Sequence, residues 1–255
     1  MPEVEYLNRN WSLELGAQVS QDSVIHFKVW APSCSKMTVQ TKDGKTCILK
    51  KGDKGYFQGS STEIKVGDLY KYQIDEEGAY PDPVSRYLPE GADGYSQIID
   101  PTHFQWTDEK WPGIELYQQV IYEIHIGCFT REGTFDAAAQ ELEELKKLGV
   151  TLIEIMPIAE FPGNWNQGYD GVSLYAPFHG YGDHDALKRF VNKAHQLGLG
   201  VILDLVYNHF GPLYNYLAKF SKYYFSKKYD SEWGEVLNLD EEGSKEVREY
   251  IIPFM

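Results

Sequence analysis

The chain has 255 residues, 42% of them hydrophobic, which is enough to bury a core in one α/β barrel or in two smaller units. Its net charge of −14, from 38 acidic and 24 basic residues, argues against a nucleic-acid partner, because such proteins present a basic face. A neutral or cationic ligand fits better. The 19 Tyr and 6 Trp residues supply rings that stack on sugars, although most are expected to serve the core.

The cysteines and the N-terminus indicate the cellular compartment. Cys34, Cys47 and Cys128 are far apart and lack the paired spacing of a zinc site or a disulfide framework. The N-terminus has no basic segment followed by an apolar core, and no apolar run reaches the length of a membrane span. We therefore expect a cytoplasmic protein with reduced thiols and no membrane partner.

Residues 1–112 are predicted to form a small β-sandwich. Apolar and polar residues alternate in His26–Ala31 and again in Leu69–Ile74, as in half-buried strands. Between them, the Asp43-Gly44 pair is a strong hairpin signal, since both turn positions tolerate positive φ. The Pro- and Gly-rich stretch Tyr80–Asp100 is predicted to be irregular. This unit is expected to fold on its own.

Residues 113–255 are predicted to contain parallel strands joined by helices. The first helix is expected to begin after Thr134 and to end at Gly149, and the second to begin after Asp183 and to end at Gly198. The order strand, helix, strand, helix, strand is typical of a parallel sheet with right-handed crossovers. The three predicted strands are Val120–Ile126, Val150–Pro157 and Leu199–Val206.

Polar and aromatic residues follow each predicted strand, and the ligand site of a parallel α/β fold lies at that edge. The sequence therefore offers three candidate clusters. They are His125 after the first strand, Trp165 and Tyr169 in the loop 158–171, and Asp204, Asn208 and His209 after the third strand.

The segment His179–His184 has the composition of a metal cluster. Its residues lie on a glycine-containing loop before a helix, so turn and capping chemistry explains them better than metal ligation. Phosphate-binding glycine loops, nucleophilic serine elbows and zinc-protease motifs are absent from the sequence. We therefore expect neither a metal nor a cofactor.

The sequence resembles the α-amylase superfamily of glycoside hydrolases and, within it, the malto-oligosyltrehalose trehalohydrolases. Two segments carry the superfamily resemblance, and they are Asp204–His209 and Gly168–Gly171. The narrower resemblance depends on a combination of segments along nearly the whole chain, namely Pro81–Glu90, Glu123–Thr130, Glu160–Gly163 and Trp233–Asn238.

The resemblance implies a multidomain β and α/β fold, with an N-terminal immunoglobulin-like β-sandwich of the glucan-binding type. An incomplete TIM (β/α)8 barrel, limited to its first three βα units, would follow in residues 113–255. Tyr169 would stack on the sugar at the cleavage subsite, His209 would hydrogen-bond a hydroxyl there, and Asp204 would shape the floor. Asp170 and Trp165 complete the expected substrate-binding set.

Two positions qualify this resemblance. Gln167 stands where the related pattern has Trp before Gly-Tyr-Asp-Gly, which affects the width or stacking of that subsite. Asn208 matches a position that ligates calcium in some amylases, and calcium is not assigned here.

The resemblance also implies that no catalytic carboxylate lies in this chain. In the family, the nucleophilic Asp, the acid/base Glu and a third Asp follow barrel strands four, five and seven. The chain is expected to end before the fourth strand, so the nucleophile and acid/base are expected downstream of Met255. Glu154, Glu160, Asp170 and Asp183 match none of these roles.

The complete enzyme is therefore predicted to hydrolyse the α-1,4 bond beside the terminal trehalose unit of maltooligosyl trehalose. A 1,4-α-glucan branching enzyme, a transferase of the same superfamily, is the alternative. A truncated glucan-binding or inactive remnant is a third hypothesis. Because three strands cannot close a barrel, association through the unpaired edge at Leu199–Val206 is also expected.

Overall fold

An antiparallel sheet of eight strands forms the first part of the computed structural model, which describes residues 14–252. The strands follow the order β1-β2-β5-β4-β3-β6-β7, and β8 pairs with β6. Their bounds are β1 Gly16–Val19, β2 Ile25–Trp30, β3 Met37–Thr41, β4 Thr46–Lys51, β5 Tyr56–Ser61, β6 Leu69–Ile74, β7 Gly78–Tyr80 and β8 Ser96–Gln97.

Strand β4 makes this sheet curl. Its first residues pair with β3, whereas Lys50 and Lys51 pair with β5, so one strand joins two halves of the sheet. The predicted hairpin is confirmed, with Gly44 at φ +92° in the turn between β3 and β4. The predicted alternation in β6 is also confirmed, because Tyr70, Tyr72 and Ile74 are all buried.

A parallel sheet of three strands follows, in the order β13-β10-β9, and two helices connect its strands. The helices α2 and α3 bury apolar side chains against this sheet and against each other. Strands β9 and β13 are the edges, and neither has a second partner strand within residues 14–252. The bounds are β9 Ile121–Ile124, α1 Ile126–Phe129, α2 Phe135–Leu148, β10 Leu152–Ile155, α3 Ala186–Gln196 and β13 Gly200–Leu203.

The caps of α2 are those predicted from the sequence. The Thr134 hydroxyl accepts a hydrogen bond from the Ala137 backbone N–H at 3.2 Å, and Gly149 ends the helix at φ +98°. The predicted cap of α3 is wrong by two residues. Asp185 is the N-cap of α3, while Asp183 Oδ1 accepts the backbone N–H of Asp185 at 2.9 Å in the turn before it.

The three parallel strands are shorter than predicted. Ile126 begins the short helix α1, because its side chain turns into the core beside α2. The loop after β10 contains a hairpin that the sequence analysis did not predict, formed by β11 Ala159–Glu160 and β12 Ser173–Pro177. Residues 205 and 206, predicted as strand, have no ladder partner and lead into the loop that carries Asn208 and His209.

Residues 210–251 complete the core of the curled sheet. Two short helices in this segment are α4 Leu217–Phe220 and α5 Ser244–Ile251. The Tyr224 ring packs edge-on against Trp30, with centroids 5.3 Å apart, and Phe220 packs against Tyr72 at 6.0 Å. One hydrophobic cluster therefore contains side chains from both ends of the described chain.

We expect residues 1–112 alone to unfold at a lower temperature than the 255-residue chain. Without residues 210–251, the Trp30 and Tyr72 rings lose apolar cover, and each Å² exposed to water costs about 25 cal/mol. Thermal melts followed by circular dichroism compare the two proteins. In the full chain, Phe220→Ala is expected to lower the melting temperature in the same direction. Equal melting temperatures for fragment and chain would contradict this shared core.

No helix among residues 14–252 combines the length and the hydrophobicity that a bilayer span requires. All three cysteines are free thiols, with Cys34 and Cys47 buried and Cys128 exposed.

Candidate functional site

Three loops meet at the carboxyl ends of the parallel strands. His125 directly follows β9, Tyr169 lies in the loop after β10, and Asp204 directly follows β13. The backbone N–H of Asp204 donates to the Ile155 carbonyl at 2.9 Å, so the ladder continues to the last residue before the loop. This is the edge at which ligand sites of parallel α/β folds are built.

Tyr169 is fixed at both its side chain and its backbone. Its hydroxyl donates to Asp204 Oδ2 at 3.4 Å, and its carbonyl oxygen accepts from His209 Nε2 at 2.9 Å. The Tyr169 side chain is nevertheless 42% exposed. The three residues therefore form one unit, called here the Tyr169 site, in which an accessible ring is held in a defined position.

Two glycines allow the backbone to pass through this site. Gly168 has φ +106°, and a Cβ there would lie 2.6 Å from the Pro157 carbonyl oxygen. A Cβ on Gly211 would lie 2.2 Å from the Asp170 carbonyl oxygen. Both contacts are closer than real Cβ atoms approach, so larger residues would displace the loop that carries Tyr169.

The electrostatic environment of the Tyr169 site is acidic. Desolvation raises the pKa of Tyr169 first, followed by the charge and hydrogen bond of Asp204 and the charges of Glu123 and Glu154. The phenol therefore stays protonated and can donate a hydrogen bond at neutral pH. An anionic ligand would be repelled, whereas a neutral polyhydroxylated ligand would not.

Sequence reasoning missed the contribution of Glu123 and Glu154. They are direct partners in the register of β9 and β10, so their side chains leave the sheet on one face. The signal was present, because each is a carboxylate inside an otherwise apolar strand.

Two other predicted site residues, Asp170 and Trp165, lie outside the Tyr169 site. Asp170 is exposed, and its Oδ2 accepts from Asn166 Nδ2 at 3.1 Å. Trp165 is 83% exposed and lines a separate cavity that does not include Tyr169, Asp204 or His209. His209 itself is only 7% exposed and already engages the Tyr169 carbonyl, so a direct contact with a sugar hydroxyl stays a prediction.

His125 and Asn166 link the first and second loops. His125 Nε2 lies 2.8 Å from the Asn166 carbonyl oxygen, while Asn166 Oδ1 accepts the Gly168 backbone N–H at 2.6 Å. A carbonyl can only accept, so Nε2 carries the proton and Nδ1 of a neutral ring is an acceptor. That Nδ1 is buried and has no hydrogen-bond partner among residues 14–252.

The segment His179–His184 makes side-chain pairs with other elements. His179 Nδ1 lies 3.0 Å from Glu160 Oε2, and Asp183 pairs with Arg189 at 3.0 Å. Across the described part of the chain, no three His, Cys, Asp or Glu side chains are grouped to hold a metal ion. Asn208, at the position that suggested calcium, is exposed.

Glu160 is a fully buried carboxyl group whose partner the sequence did not reveal, since His179 is 19 residues away. Burial raises the pKa of Glu160 to about 7, although the backbone N–H and the imidazole of His179 act in the opposite direction. A raised pKa in the folded state means that the neutral carboxyl group stabilises the fold more than the carboxylate does.

The stability that neutral Glu160 contributes should therefore be complete below pH 4.5 and disappear as the pH rises to about 7. We expect the unfolding free energy of the wild type, relative to Glu160→Gln, to fall by up to about 3 kcal/mol over that range. Urea titrations at pH 4.5, 5.5, 6.5 and 7.5 measure this, with exposed Glu109→Gln as control. A difference that rises with pH would show that the carboxylate is the preferred form.

Comparison with known proteins places this geometry in context. The model of the α-amylase catalytic domain matches residues 93–242. The chain is 48% identical to a malto-oligosyltrehalose trehalohydrolase from Saccharolobus solfataricus over 94% of its length. It is 34% identical to a 1,4-alpha-glucan branching enzyme from Pseudoalteromonas atlantica over 85% of its length.

A crystal structure from Salmonella typhimurium, provisionally called an alpha amylase, superposes with a TM-score of 0.90 and 38% identity. It matches 95% of this chain, which in turn spans 41% of that structure. The chain likewise spans 42% of the Saccharolobus relative and 34% of the branching enzyme.

Proposed function

Since this chain belongs to the α-amylase catalytic-domain family, we propose that it is part of a glycoside hydrolase that acts on α-1,4-glucans. The specific reaction we propose is hydrolysis of the α-1,4 bond beside the terminal trehalose unit of maltooligosyl trehalose, which releases trehalose. The name of the Saccharolobus relative, at 48% identity, supports this choice. The branching enzyme, at 34%, is the alternative, and it would transfer the glucan segment instead of hydrolysing it.

The Tyr169 site is the observation that carries the proposal. An accessible phenol ring offers its face to the C–H groups of a sugar, while its hydroxyl stays hydrogen-bonded to Asp204. Asp204 Oδ1 and the second lone pairs of Oδ2 are available to sugar hydroxyls. The acidic surroundings favour a neutral substrate over a phosphorylated one.

The finer assignments follow from the same premise and are part of the proposal. Residues 1–112 would be an immunoglobulin-like sandwich of the glucan-binding type, and residues 113–255 part of a (β/α)8 barrel. Asp170 would contact substrate beside the Tyr169 site, Trp165 would contact it from the separate cavity that it lines, and no cofactor would be required. The protein would be cytoplasmic, and the free edge of β13 would pair with further strands or with another chain.

The reaction can be tested on the protein as its gene encodes it. Incubation with maltooligosyl trehalose is expected to yield free trehalose and a shortened maltooligosaccharide. New α-1,6 branches without trehalose would identify the transferase, and unchanged substrate would overturn both assignments.

His209 tests whether the Tyr169 site takes part in that reaction. We expect His209→Ala to lower trehalose release by about 100-fold, because the Tyr169 loop loses the hydrogen bond that positions it. Tyr117→Phe, in an exposed turn before β9, is the matched control. A His209→Ala protein that loses activity only in proportion to its loss of folded protein would indicate a structural histidine.

A further inference from the structure

We propose that the cavity beside Trp165 is a second glucan-binding site, separate from the Tyr169 site, where a sugar ring stacks on the Trp165 indole. The α-glucan identity of its ligand rests on the proposed function. The cavity itself, called here the Trp165 cavity, lies between the loop that follows β9 and the loop that follows β10. Its volume is about 500 Å³, within the usual range for small-molecule sites.

Trp165 is the most exposed aromatic side chain of this cavity. Its side chain is 83% exposed, compared with 69% for Trp233 and 44% for Trp106. An indole left in water on a structured loop has apolar area available for a ligand. Stacking of a sugar ring would cover that area without requiring any change in the protein core.

The loop that carries Trp165 is held from both sides. Asn166, the next residue, binds His125 through its carbonyl oxygen and Asp170 through its side-chain amide. Asn166 Oδ1 also accepts the Gly168 backbone N–H at 2.6 Å. The backbone that carries Trp165 is therefore ordered before a ligand arrives, which reduces the entropy that binding would cost.

The polar lining of the Trp165 cavity fits a neutral, hydroxyl-rich molecule. Two carboxamides, from Asn164 and Gln167, supply both donors and acceptors. Arg131 and Glu132 are exposed side chains of opposite charge at the same cavity. Their charges offset each other, so the lining does not select a phosphate or a carboxylate.

His125 connects the lining of the Trp165 cavity to the loop that carries Trp165. It lines the cavity, and its buried Nδ1 has no hydrogen-bond partner within residues 14–252. The Nδ1 atom is shielded from solvent, so His125 acts on the cavity by holding Asn166, the residue beside Trp165.

The chain connects the two sites closely. Trp165 and Tyr169 are four residues apart in one loop, and Asn166 contacts Asp170, which adjoins Tyr169. A glucan held on Trp165 would therefore keep a second part of the same polymer near the Tyr169 site. This arrangement would raise the local concentration of substrate.

Nuclear magnetic resonance of the 255-residue chain separates the two sites. The chain has 6 tryptophans, and the indole N–H signal of Trp165 is identified by its loss in Trp165→Phe. Titration with maltotetraose is expected to shift this signal, and Tyr169→Ala is expected to leave the Trp165 shift intact. Trp165→Ala should raise the dissociation constant for the shifts of other cavity residues by roughly tenfold.

Exposed Trp106 packs edge-on against Phe104 and lines neither site, so Trp106→Ala provides the matched control. The proposal is overturned if maltotetraose leaves the Trp165 indole unshifted, or if Tyr169→Ala abolishes the shift. Neither result depends on turnover, so the release of trehalose would still stand as a separate test of the proposed function. Conversely, a Trp165 shift in a protein that releases no trehalose would support the cavity and not the reaction.

Discussion

Asp82→Ala is expected to lower the unfolding free energy by about 3–5 kcal/mol, because it removes the acceptor of two buried hydroxyl groups. Asp82 is 2% exposed, and its Oδ2 accepts from Tyr70 at 2.5 Å and from Tyr72 at 3.2 Å. Its Oδ1 also accepts the Val84 backbone N–H at 2.9 Å. All of these donors lie in the core of the curled sheet, where water cannot replace the carboxylate.

Urea unfolding at pH 7 measures this loss for two variants and a control. Asp82→Asn keeps an acceptor oxygen and the side-chain shape, so it should lose less stability than Asp82→Ala. Asp53 is an exposed carboxylate, and Asp53→Ala is expected to stay within about 0.5 kcal/mol of the wild type. If Asp82→Ala were no less stable than Asp53→Ala, the buried network would contribute nothing to folding.

The contacts of Asp82 illustrate which structural features the sequence predicts and which it does not. In sequence, the segment Pro81–Glu90 indicates only a resemblance. Its structural role depends on Tyr70 and Tyr72, which lie 12 and 10 residues before Asp82. Local patterns do not encode such pairs. The alternation in β6 predicted correctly that both rings point inward, and it carried no information about their hydroxyl partner.

Helix α2 was predictable because its determinants are local. Thr134, the apolar positions and Gly149 all lie within one segment of 16 residues and act through hydrogen bonds and packing along the helix. In contrast, Trp30 occupies the strand face opposite Phe27 and is nevertheless buried, at 4% exposure. Its cover is Tyr224, which is distant in sequence, so alternation alone could not predict it.

For the candidate site, the sequence predicted the location but not the division into two parts. The strand-end rule placed Tyr169, Asp204 and His209 at one edge of the sheet, and the structure joins them through two hydrogen bonds. The rule could not separate Trp165 from Tyr169, because both lie in one loop. Their separation depends on the turn at Asn166 and on its contact with His125, which comes from a different strand.

We expect the purified 255-residue chain alone to show no turnover of maltooligosyl trehalose. Retaining glycosidases use two carboxyl groups about 5 Å apart, one as nucleophile and one as acid/base. In the described residues, Asp204 Oδ2 accepts from Tyr169, and Asp170 Oδ2 accepts from Asn166. Both carboxylates therefore act in positioning the loop.

Glu160 is the carboxyl group whose pKa, raised to about 7, would suit a general acid at neutral pH. Its side chain is 0% exposed and is paired with His179, so it cannot reach a glycosidic oxygen. An assay with maltooligosyl trehalose and an activated α-glucoside decides whether a carboxyl group of this chain catalyses hydrolysis. Asp204→Asn and Glu160→Gln are the variants to compare. Turnover that survives rigorous purification and disappears in Asp204→Asn would show that a positioning carboxylate of this chain also performs the chemistry. Turnover lost only in Glu160→Gln would require the buried pair to open, because a proton donor must contact the bond it cleaves.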